Sequence, residues 1–168
     1  MTAVGNPLCC FARILNPYGA TSYNVVDPTM GMQVGTLCTN GSGPIGPLEP
    51  AGAICSEGSA APEFQRWDGS PFSAPGPISD STHYLAALSP DGTRVAVGGN
   101  PISISGPSGR IDSFAAASGY VLGWLDDQHI VFQRPDANGL WVLDLNTRAT
   151  LSVSAVGTFM GTVPAAIT

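Results

Sequence analysis

From residue 81 onward, apolar and polar positions alternate in short runs separated by turn residues, the pattern of successive β-strands. His83–Leu88 is apolar-rich, and Ser89-Pro90-Asp91-Gly92 follows as a turn, because Asp-Gly favours the positive φ angles of a tight hairpin. Thr93–Val97 is the next strand, with Val95 and Val97 on one face, and Pro101–Ser105 and Arg110–Phe114 are weaker ones. The pattern then restarts. Tyr120–Leu125 and His129–Gln133 flank Asp126-Asp127-Gln128, and Leu140–Leu145 follows the turn residues 135–139. Beyond Asn146-Thr147, Arg148–Ala155 places Ala149, Leu151, Val153 and Ala155 at the period of two that marks a half-buried strand.

Residues 1–80 are punctuated more densely. They hold 10 of the 15 Pro and 11 of the 21 Gly. Short strands fit at Cys10–Leu15, Ser22–Val26, Gln33–Cys38 and Glu63–Trp67, and the stretch from Thr39 to Pro62 reads as a long loop. The pattern predicts an all-β chain in two parts. Residues 1–80 form an irregular Gly/Pro-rich N-terminal arm with short strands and loops, and residues 81–168 form a domain of antiparallel β-repeats.

The repeat itself carries a resemblance. Leu85–Val97 (LAALSPDGTRVAV) combines an apolar strand, Ser-Pro-Asp-Gly and a polar-apolar strand. Gly139–Asn146 (GLWVLDLN) supplies an Asp-Leu strand and turn, and residues 124–132 align with residues 88–97 at an offset of about 36, the length of an internal repeat. Residues 82–155 therefore resemble the TolB-like β-propeller repeat. The resemblance implies propeller-like blades, about two of them, where rings of this kind need four to eight. The first repeat has only Ile102-Ser103-Ile104-Ser105 for its third strand, and the second has lost Ser-Pro and Gly from its turn. Three ways to bury the remaining faces stay open: self-association, a sandwich, or degenerate blades in the Gly/Pro-rich half.

Composition narrows the function. Charged residues are 11% of the chain, all six basic residues are Arg, and the net charge is −6. Six scattered Arg against twelve acids argue against a nucleic-acid partner. No apolar run reaches the roughly 20 residues of a membrane-spanning helix. The N-terminus has no recognisable signal peptide, since Arg13 interrupts its apolar stretch. Cys9, Cys10, Cys38 and Cys55 lack zinc-site spacing and read as buried free thiols, with Cys38–Cys55 the pairing to expect if a disulfide forms.

No candidate chemistry survives its spacing. Gly41–Gly46 matches G-x-G-x-x-G, but Pro47 and Pro50 bar the helix that a dinucleotide site needs, so it reads as a flexible loop. Asp80, Ser81 and His83 lack a nucleophile elbow, and Asp126, Asp127 and Asp136 lack the further oxygens of a calcium loop. Each reads as a turn or loop residue, and no catalytic residue, metal site or cofactor is expected. The aromatics are the exception. Trp124, Phe132 and Trp141 fall at blade-core positions, whereas Trp67, Tyr84 and Tyr120 are candidates for a binding face. The expected protein is a non-enzymatic structural or interaction subunit whose partners are copies of itself or other subunits. A virion component, for example capsid-decorating or tail, or another extracellular assembly is favoured over a cytoplasmic role. A lectin-like module binding a glycan or peptide is the alternative, and a hydrolase a remote one.

Overall fold

The computed structural model describes residues 11–15, 21–27, 31–39, 43–49, 51–56, 62–73, 75–76, 86–137 and 139–153. Among these residues there are fifteen strands and no helix. The local chemistry of the repeat explains how its strands are joined. The Ser89 hydroxyl donates to Asp91 Oδ1 at 2.6 Å and accepts from the Arg94 backbone N–H at 2.9 Å. Asp91 also accepts from the backbone and hydroxyl of Thr93, at 2.9 and 2.8 Å. Gly92 takes φ +73°, the conformation Asp-Gly foretells, but the turn is wider than a tight hairpin, because Leu88 pairs with Val95.

The strands form four antiparallel sheets in chain order. The first holds β1 (Phe11–Leu15), β2 (Thr21–Asp27) and β3 (Met32–Leu37). The second holds β4 (Gly43–Glu49), β5 (Gly52–Ser56), β6 (Glu63–Gln65) and β7 (Pro71–Phe72). The third is β8 (Ala86–Leu88), β9 (Val95–Val97), β10 (Ile102–Ser105) and β11 (Ile111–Phe114). The fourth is β12 (Tyr120–Asp126), β13 (His129–Gln133), β14 (Leu140–Asp144) and β15 (Thr150–Val153). Each is a meander, and the first strands β4, β8 and β12 approach one another.

Apolar side chains fill the spaces between consecutive sheets. Val25, Leu37 and Cys38 meet Ala53 and Cys55 between the first and second. Ile54 and Phe64 meet Ala86, Leu88 and Val95 between the second and third. The largest cluster joins the third and fourth and includes Ile102, Ile104, Phe114, Trp124, Ile130, Phe132 and Leu143. Trp124, wholly buried, donates its indole N–H to the Ala87 carbonyl at 3.0 Å, satisfying its polar atom inside the core. Two arginines bridge the same pair of sheets. Arg94 lies 5.2 Å from the Trp124 ring and donates to the Asp127 carbonyl. Arg148 lies 4.5 Å from the Phe114 ring and donates to the Ser113 carbonyl at 2.6 Å.

The structure corrects three expectations. The long loop from Thr39 to Pro62 instead contains β4 and β5, so residues 43–46 of the Gly-rich motif are strand. Pro47, which cannot donate to a ladder, falls where pairing skips from Ile45↔Ile54 to Glu49↔Gly52. The Gly/Pro-rich half supplies two sheets of its own, which is the degenerate-blade alternative. And Cys38 and Cys55 are not free thiols but a disulfide, with Cα atoms 5.3 Å apart, tying the segment after β3 to β5. Cys9, Cys10, Asp80, Ser81, His83 and Tyr84 lie outside the described residues.

Candidate functional site

Two surfaces of the fourth sheet stand out. The first is a shallow cleft of about 330 Å³ lined by Tyr120, Gln133, Arg134, Pro135, Asp136 and Ala137. Tyr120 opens β12 and pairs with Gln133, the last residue of β13. Gly119 before it takes φ +145° and lies so close to the Gln133 carbonyl that a Cβ would approach to 2.0 Å, so only glycine fits. Arg134 lies 5.0 Å from the Trp141 ring and pairs with Asp136, Nε to Oδ1 at 3.1 Å and Nη2 to Oδ2 at 3.2 Å. The Arg134 hydrogen bonds hold the Asp136 carboxyl below its ordinary value.

The second surface is the face of the fourth sheet turned away from the third. Cross-strand pairing puts Val131, Val142 and Leu151 in one row. Val131 is buried and Val142 half-buried, but Leu151 is 68% exposed. Leu125 lies on the same face, 45% exposed. The matching row of the second sheet is Ile54, Phe64 and Phe72, since Gly43↔Ser56 opens that sheet as Tyr120↔Gln133 opens the fourth. There, Ala86, Leu88 and Val95 of the next sheet cover the row. Among the described strands none packs on Val142 and Leu151 in that way.

The aromatic candidates are not brought together. Trp67 lies in the β6–β7 turn, half-buried against the cluster of Val25, Leu37 and Cys38. By strand direction that turn is at the end of the sheets opposite Tyr120. Trp124 and Phe132 are wholly buried, as their repeat positions foretell, and Trp141 is half-buried against the same core. Of the remaining acidic candidates, Asp126 holds a turn, whereas Asp127 Oδ1 is buried without a hydrogen-bond partner. Asp126 accepts from the Gln128 N–H at 2.7 Å and pairs with His129 Nδ1 at 2.9 Å. Burial raises the Asp126 pKa, but these bonds outweigh it and the carboxyl sits below its usual range. Gln133 and Arg134 of the cleft escaped the sequence reading, which took Asp136 for a turn residue; so did the exposure of Leu151, whose alternating run suggested a half-buried strand.

No family model matches the chain, and no curated protein matches it. Among solved structures it is similar to TolB from Acinetobacter baumannii, with a TM-score of 0.57 over 89% of this chain and 42% of that one, at 13% identity. The chain has a TolB-like β-propeller fold. Its four sheets are four successive blades, each packed on the next. Dihydro-heme d1 dehydrogenase NirN in complex with DHE matches 92% of this chain and 46% of its own at 12% identity, with a TM-score of 0.40. The chain spans less than half the length of either protein.

Proposed function

We propose that this chain is a non-enzymatic interaction module that assembles with a second copy of itself through the outer face of its fourth blade. One observation carries the reading: the Val131–Val142–Leu151 row repeats the Ile54–Phe64–Phe72 row, which the next blade covers inside the molecule, yet Leu151 stays exposed. Covering such side chains is worth about 1.5–3 kcal/mol each, and exposed apolar patches mark contact sites. A head-to-tail contact would set this face against the far face of the first blade. Asn24, Gln33 and Thr36 lie there: Gln33 Nε2 donates to Thr36 Oγ1 at 2.8 Å and to Asn24 Oδ1 at 3.2 Å, and burying these three groups would cost free energy. A two-fold contact needs only one self-complementary patch, and the fourth blade's apolar face supplies it. The Cys38–Cys55 disulfide fits work outside the reducing cytosol. No feature of the fold points to a virion, and the proposal stops at the contact between chains.

Crosslinking tests this. In a background with Cys9 and Cys10 changed to Ser, Leu151→Cys should form a disulfide-linked dimer under mild oxidation. Ser108→Cys, on an exposed turn away from the face, should not. Equal crosslinking of both, or of neither, sinks the proposal.

A further inference from the structure

The cleft beside Tyr120 is a separate surface, at the end of the fourth blade where β12 begins and β13 finishes. Its chemistry is unusually well held for an exposed site. The Tyr120 side is fixed by the close approach of Gly119 to the Gln133 carbonyl, and Tyr120, 47% exposed, lines the cleft. Arg134 is fixed twice over, by the Trp141 ring beneath it and by the two-point pair with Asp136. That pair leaves further donors on Arg134 and further acceptor positions on Asp136, and the Gln133 amide adds groups of both kinds. Pro135 and Ala137 complete the lining.

From this arrangement we infer that the cleft binds a neutral saccharide unit. An aromatic ring offers its face to the C–H side of a pyranose, and the Gln133 amide with the paired Asp136 carboxylate and Arg134 guanidinium offers both donors and acceptors to its hydroxyls. The Arg134 and Asp136 charges cancel, so neither an anion nor a cation is selected. A volume of about 330 Å³ lies at the lower end for ligand sites, which suits one sugar ring rather than a larger ligand. Because Arg134 and Asp136 are already held in their pair, binding would not have to order those two.

The test is amide chemical-shift titration of the isotopically labelled chain with glucose, galactose, N-acetylglucosamine and their short β-linked oligomers. Shifts should concentrate at residues 119–120 and 133–137 for at least one sugar. Tyr120→Ala should weaken that binding by about tenfold, the scale of one lost aromatic contact. Tyr120→Phe, which keeps the ring, should retain it, and Asp136→Ala should weaken it with the unfolding midpoint unchanged. Three results would overturn the inference: no shifts with any neutral sugar, shifts undiminished in Tyr120→Ala, or a site that responds only to extended peptides or to charged ligands.

Discussion

In the turn between β8 and β9, the Asp91 carboxylate gathers three donors: the Ser89 hydroxyl and the backbone and side chain of Thr93. Burial pulls the Asp91 pKa up, but these bonds pull harder and the net shift is downward from 3.8. A carboxyl whose pKa is lower folded than unfolded adds stability above its unfolded value and loses it as pH falls through the folded one. Asp91→Asn should therefore destabilise the protein at pH 7, and its difference from the parent should shrink as pH drops below about 3.8. Urea unfolding of both proteins from pH 7 to pH 2 checks this, and a pH-independent difference would count against the carboxylate's role. Ser89→Ala belongs to the same experiment. Ser89 is wholly buried, and its loss leaves the Arg94 N–H without that acceptor, at a cost of about 1–3 kcal/mol.

Between neighbouring blades, one of the two smaller cores is reinforced covalently. The first and second blades share Val25, Leu37, Cys38, Ala53 and Cys55, far fewer side chains than unite the third and fourth. The Cys38–Cys55 bond closes a loop of 17 residues there. In the chain-entropy picture such a loop contributes about 3 kcal/mol. Thermal unfolding of Cys38→Ser/Cys55→Ser should show that loss, and hydrogen exchange should quicken first in β2 and β5. Uniform loosening of all four blades would contradict it. The same contrast governs what the sequence discloses. His129–Gln133 is strand at the bounds its alternation suggests, because both its neighbours pair regularly along it. β4 hides behind Pro44, Gly46 and Pro47, since its ladder is interrupted and proline reads as loop. The core tryptophan Trp124 is visible from the repeat. Of the cleft, Tyr120 is visible as an aromatic, but the Arg134–Asp136 pair is not, because both residues lie beyond β13, where strand alternation no longer says which side chains meet.

At the scale of the whole chain, the scarcity of charge acquires a structural meaning. Of the six arginines, Arg66, Arg94, Arg134 and Arg148 each lie over an aromatic ring, and two of them, Arg94 and Arg148, join the third blade to the fourth. The four described blades pack in series. The first carries the hydrogen-bonded Asn24, Gln33 and Thr36, while the last carries Leu125, Val142 and Leu151. The contact we propose is two-fold and runs through the fourth blade, not a continuing chain of copies. Light scattering across a range of protein concentrations measures this most directly. Twice the 17.2 kDa chain, about 34 kDa, should appear as concentration rises and return to one chain in Leu151→Asp. A folded parent protein that stays at 17.2 kDa throughout, with the variant indistinguishable from it, would contradict the account.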